Sequence, residues 1–175
     1  MDAYDLLYEL LLRREGRELL LRPLVGYSDL TLDPVREMLL SEATVLGVGD
    51  GGAHVRVICD ASTPTYMLSH WVRDRSRGAT LPIETVVHKM TKNNADLYGF
   101  ADRGVLAPGL RADVNVIDMA RITLRAPEFR SDLPGGAARL VQEAVGYDAT
   151  LVAGAVTRRN DSDTGARPGR LVRSA

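Results

Sequence analysis

One aspartate in this chain stands among glycines in a way that suits acid–base chemistry. In Thr44-Val45-Leu46-Gly47-Val48-Gly49-Asp50-Gly51-Gly52-Ala53-His54, an apolar, β-branched run ends in four glycines around a single carboxylate. The run predicts a buried strand. The glycines let the backbone turn sharply and leave space beside Asp50. An acid held open at a strand tip is where α/β barrels and open α/β sheets keep their chemistry. A plain Asp-Gly turn is the competing reading. His54, four residues on, can face the same pocket, as a contact to substrate or backbone in preference to a metal ligand. Arg56, Asp60 and Arg73 can meet a substrate carboxylate, for which the planar guanidinium fork is suited, or pair with each other in solvent. His70 and His88 fall on expected helices and read as packing or surface residues.

Composition narrows the classes. The 175 residues are 45% hydrophobic and 26% charged, with a net charge of -1. That is a soluble globular composition of one domain or a little more. No basic surplus exists to neutralise phosphates, so nucleic acid is not an expected partner. The first residues are apolar but acidic, unlike a secretory signal. No run of about 20 apolar residues occurs, so no membrane span is expected. Cys59 is the one cysteine. It excludes an internal disulfide and a cysteine-only metal site, predicts a small buried apolar residue, and points to the cytoplasm.

The elements that would position these groups follow from periodicity and punctuation. Residues 2–14 place Ala3, Leu6, Leu7, Leu10 and Leu11 on one helical face. Residues 19–25 predict a strand. Asp33-Pro34 predicts a helix start, and the Asp50 strand follows. This alternation is the grammar of a parallel sheet covered by helices. Residues 66–75 and a segment opened by Pro82 predict further helices, with a short helical turn at 95–98. From Gly104 the chain changes character. Residues 114–118 predict a strand, 140–152 strand-like stretches broken at Gly146, and Ala153-Gly154 a two-residue hairpin turn into 155–157. The expected division is 1–100, α/β, and 101–175, β-rich.

Three motifs together resemble the amidohydrolase superfamily, in its N-acyl-D-amino-acid deacylase (D-aminoacylase) branch. Gly49-Asp50-Gly51-Gly52-Ala53-His54 resembles the loop after barrel strand eight. Met90-Thr91-Lys92-Asn93-Asn94-Ala95, Gly99 and the run from Gly104 through Asp113 to Asp118 resemble the passage from the last barrel helix into a small β-domain. Val152-Ala153-Gly154-Ala155-Val156, with Thr164-Gly165-Ala166-Arg167-Pro168-Gly169-Arg170, resembles the closing hairpin and tail of the branch. The matches cover most of residues 35–175. Asp113 and Asp118 read as structural, with Asp113 capping turn backbone. The family commonly has Asn-Gly where this chain has Ala153-Gly154, and alanine is poorly suited to the positive φ of a type I′ turn.

The resemblance implies an α/β fold, the C-terminal part of a TIM-like (β/α)8 metal-dependent hydrolase barrel followed by part of a small β-sandwich domain. It implies zinc as cofactor and a small-molecule N-acyl amino acid as substrate. Asp50 would be the catalytic aspartate, taking a proton from the attacking water and returning it to the leaving amine, and could itself contact metal. His54, Arg56 and Asp60 would be substrate contacts. Two features depart from the family. A full barrel needs about 200 residues or more. The family's early His-x-His, its central Cys, Glu or Lys, and its two later histidines have no counterpart here. The expectation is therefore a fragment or subunit that needs the missing barrel half, supplied by a partner chain or a longer product. A non-catalytic remnant or assembly module is the alternative, and a cyclic amidohydrolase a further one.

Overall fold

The computed structural model describes residues 1–21, 29–47, 49–52 and 54–173. The chain divides into two compact units, Met1–Val35 and Arg36–Ala175. The first contains α1 (Ala3–Gly16), whose helical dihedrals break at Arg13, Arg14 and Glu15 and which buries no residue. The expected strand at 19–25 is not formed over 19–21, and its remainder lies outside the described residues. α2 (Asp33–Leu40) straddles the division.

In the second unit the helices come first. α3 (Thr63–Tyr66) has Pro64 in its first turn and continues into a π-helical stretch, Met67–Asp74. The widened turn is closed by Arg75 N–H donating to His70 O at 2.9 Å. α4 (Ile83–Met90) starts directly after Pro82, and α5 (Lys92–Leu97) follows Thr91. Pro82, with φ -59 and ψ 137, gives α4 its extended entry. The helix periodicities bury Met67, Leu68, Trp71, Val86 and Ala95, which with Leu81 and Ile122 form the core.

Strands occupy the rest. β1 (Val114–Ile117), β6 (Tyr147–Val152), β7 (Ala155–Arg159) and β8 (Ser162–Asp163) form one antiparallel sheet in the order β1-β6-β7-β8. β2 (Thr123–Leu124) pairs with β5 (Ala144–Val145), and β3 (Glu128–Arg130) with β4 (Arg139–Val141). Gly146, the expected break, has φ +104, and a Cβ there would lie 2.6 Å from the Ile122 Cα. Ile122 is fully buried at 0% exposure. Only glycine permits that approach of the β5–β6 corner to the core.

The strand expected before Asp50 is corrected. Residues 44–47 carry no strand pairing, and Val48 lies outside the described residues. A strand needs a neighbour to take its backbone groups, and none is present among the described residues. Lys89 supplies a substitute. Its ammonium donates to Ser41 O at 2.7 Å, Thr44 O at 2.8 Å and Thr44 Oγ1 at 3.3 Å, and the residue is only 8% exposed. The Asp50 loop is thus led in by a segment pinned to α4, not by a sheet.

Candidate functional site

Asp50 sits on an irregular loop, exposed to solvent. Its carboxylate makes no hydrogen bond or ion pair among the described residues. The glycines around it serve close packing. A Cβ on Gly49 would fall 2.4 Å from Asp60 O, and one on Gly51 would fall 2.4 Å from Ala61 N. The loop therefore lies flat against the 3₁₀ turn Asp60–Ser62. Gly52 has φ +88 and donates its N–H to Ile58 O at 3.2 Å, while Val55 N–H donates back to Gly52 O at 3.0 Å. His54 and Val55 follow with φ of 55° and 58°, a left-handed pair that is rare away from glycine.

The later β-structure closes on this loop. Leu140 N–H of β4 donates to Val55 O at 2.9 Å. The Arg56 guanidinium stands 5.2 Å from the centre of the Phe129 ring, on β3. Ser62 Oγ donates to Gln142 Oε1 at 2.6 Å, and Thr65 and Tyr147 share a hydroxyl–hydroxyl bond at 2.8 Å. Between the loop and β4 lies a cavity of about 420 Å³. A larger cavity of about 770 Å³ is formed by α4, α5 and β1 and takes in no residue of the Asp50 loop.

The four expected site residues share this region without joining side chain to side chain. Asp60 reaches the loop through its backbone, and its carbonyl accepts from Thr63 Oγ1 at 2.6 Å. His54 is exposed. Arg56 is engaged by Phe129. Arg73 is structural: it pairs with Asp74 and donates to Met119 O at 2.6 Å and Ile122 O at 2.8 Å. His70 stacks on Tyr66 at 4.6 Å and meets Trp71 edge-on at 5.4 Å. Burial, with Arg75 nearby, lowers the His70 pKa. Cys59 is half-buried, and burial, then the neighbouring Asp60, pushes its thiol pKa up. Lys89, Gln142 and Leu140, which fix the loop and its cavity, escaped the sequence reading. Their partners lie about 45 to 85 residues away and no local pattern announces them.

A metal of the family type does not fit these residues by themselves. Among the described residues no three His, Cys, Asp or Glu side chains converge, whereas a catalytic zinc takes about three protein ligands. No described helix is long and apolar enough to cross a membrane.

The class so defined is a mixed helix-and-strand chain that presents one uncommitted carboxylate on a glycine-bounded loop, backed by an antiparallel β-region. The family follows from comparison. Residues 16–158 match the model of the Amidohydrolase family, and the chain belongs to that family. Two of the solved structures similar to it bear on the comparison. One is a D-aminoacylase mutant in complex with copper chloride, 28% identical with a TM-score of 0.58, matched over 82% of this chain and 28% of that one. The other is a D-aminoacylase described for its binuclear metal center, with one-metal activation and second-metal attenuation. It is 29% identical with a TM-score of 0.58 and the same coverage, 82% and 28%. The chain thus spans less than a third of either protein. No curated protein sequence matches it.

Proposed function

We propose that this chain supplies the last part of a metal-dependent amidohydrolase that cleaves the C–N amide bond of N-acyl-D-amino acids. Residues 1–100 would be the final βα portion of its barrel and 101–175 part of its small β-sandwich. The observation that carries the reading is Asp50: an exposed carboxylate, unpartnered among the described residues, on a loop whose two flanking glycines are packed onto Asp60 and Ala61. A base must be free to exchange protons yet held in place, and this one is both. Asp50 takes the proton from water as its oxygen bonds to the amide carbonyl carbon. It gives that proton to the nitrogen as the C–N bond breaks, leaving a carboxylate and a D-amino acid. His54, Arg56 and Asp60 would meet the substrate.

The rest of the barrel, from a longer product or a partner chain, would bring the ligands for zinc or another metal, since these residues do not assemble such a site. The single cysteine supports a reducing, cytoplasmic setting. A second reading, an assembly module without chemistry, is favoured by α1, which buries none of its leucines. Co-expression with an amidohydrolase N-terminal barrel segment separates the two. Hydrolysis of an N-acyl-D-amino acid that is lost in Asp50→Asn supports the enzyme; a stable complex without hydrolysis supports the module.

A further inference from the structure

We propose that the cavity between the Asp50 loop and β4 receives the apolar arm of the substrate, whether its acyl tail or its amino-acid side chain. This rests on the amide-hydrolase reading above, since nearness to Asp50 is what makes the cavity a subsite. At about 420 Å³ it lies in the range of small-molecule sites, about 300–1,000 Å³. One wall is the backbone of Gly51 and Gly52, the residues immediately after the carboxylate. The other is Leu140 and Val141 of β4, with Val55 and Cys59 between. The two walls are tied by the bond from Leu140 N–H to Val55 O, 2.9 Å.

The polar side chains that line the cavity are already committed. Arg139 grips Asp132 through Nε and Nη2, each at 2.7 Å. Gln142 accepts from Ser62 Oγ at 2.6 Å and donates Nε2 to Arg125 O at 2.9 Å. A ligand carboxylate at Arg139 would compete with Asp132, which already neutralises it. A ligand amide that replaced either partner of Gln142 would leave Ser62 or the Arg125 carbonyl unpaired, and an abandoned partner is destabilising. Burial pushes the Cys59 thiol pKa up, so it stays neutral. Besides the backbone of Gly51 and Gly52, the walls offer a ligand mainly carbon and sulfur. An apolar group gains there, by about fourfold in affinity for each methylene buried.

Two ligand series test this by NMR titration of the full 175-residue chain. One lengthens the acyl arm: N-acetyl-, N-butyryl- and N-hexanoyl-D-alanine. The other lengthens the side chain: N-acetylglycine, N-acetyl-D-alanine and N-acetyl-D-leucine. We expect affinity to rise by about fourfold per methylene along one series, with methyl shifts at Val55, Leu140 and Val141. The series that responds identifies the arm. Val141→Phe should flatten the response and Val141→Ala should extend it to longer arms. If Val141→Phe fails to fold, the wild-type series and its shift map still decide. Equal affinity along both series, or shifts away from these three residues, overturns the proposal. Turnover by the co-expressed complex tests the underlying reading separately. No turnover with length-dependent binding intact removes the hydrolase reading and leaves the apolar site. Turnover that Val141→Phe lowers equally for short and long arms removes the apolar site and leaves the hydrolase.

Discussion

Lys89 holds Thr44 through its carbonyl, 2.8 Å from the ammonium, although 45 residues separate them. The same ammonium takes Ser41 O, so one charged group satisfies two backbone acceptors in the approach to Asp50. Lys89→Met keeps the apolar stem and removes the donors. Orphaned buried acceptors destabilise by about 1–3 kcal/mol. The expected outcome is a loss of that size in urea unfolding, with amide exchange rising first over residues 41–47. Unchanged exchange there would show that the segment is held by something else.

The hairpin turn between β6 and β7 is built with the wrong residue and braced for it. Ala153 has φ +51 and Gly154 φ +80, as a type I′ turn requires. Asp113 Oδ1 accepts from Ala153 N–H at 2.7 Å, and Gly154 N–H donates to Ala112 O at 2.9 Å. A left-handed alanine is strained by about 1 kcal/mol. Ala153→Asn or Ala153→Gly should therefore raise stability by up to about 1 kcal/mol, read as a higher Tm. Asp113→Ala should lower it.

The glycines beside Asp50 differ in what they tolerate. At Gly49 and Gly51 a methyl group would meet the backbone of Asp60 and Ala61 at 2.4 Å, while at Gly52 nothing lies within 4 Å. Gly49→Ala and Gly51→Ala should force the loop off the Asp60 turn and lower the melting temperature more than Gly52→Ala. The last meets only the strain of its φ of +88. Equal effects at all three would mean that dihedral strain, not contact, sets the requirement.

What could be read in advance depended on range. Pro82 announces α4, residues 114–118 announce β1, and Gly146 and Gly154 mark the corners, because proline, alternation and glycine act within a few residues. The importance of Gly49 and Gly51 was visible, but its reason was not. They make room for the 3₁₀ turn, not for an open strand end. The strand before Asp50 failed because periodicity reports a segment's preference, while a strand also needs partners. The ties of Ser62 to Gln142, Val55 to Leu140 and Thr44 to Lys89 join residues 45 to 85 apart, beyond any local pattern.

The tail is fastened by an acid-sensitive clasp. Arg167 donates to both Asp163 oxygens, at 3.0 and 2.8 Å, and Gly165 N–H donates to Oδ1 at 2.7 Å. The arginine first, then the backbone N–H, holds the Asp163 pKa down to about 2. An acid whose pKa is lower in the folded state binds its proton more readily when unfolded. Its contribution is therefore fully present above the ordinary value of about 3.9 and fades as the pH falls through about 2. Titration of the Asp163 carboxyl by NMR should show the low midpoint, and Arg167→Ala should move it up. A midpoint near the ordinary aspartate value in the unaltered chain would mean that the clasp does not form in solution.

Zinc should bind this chain weakly in isolation. Catalytic sites hold the ion with about three protein ligands, and no such group converges among the described residues. Asp50 brings one carboxylate, and a lone exposed carboxylate competes poorly with water for a divalent ion. Purified chain equilibrated with zinc and then desalted should retain far less than one ion per molecule by elemental analysis. It should show no turnover of an N-acyl-D-amino acid. With the barrel segment co-expressed, metal retention and turnover should appear together. In that complex Asp50→Asn should lower kcat by about 10²–10⁴, the contribution of a positioned base, while metal retention changes little if proton transfer is its main role. A large loss of metal in Asp50→Asn would instead make Asp50 a ligand. Stoichiometric zinc in the chain alone, with turnover that Asp50→Asn abolishes, would refute the proposed need for a further barrel segment.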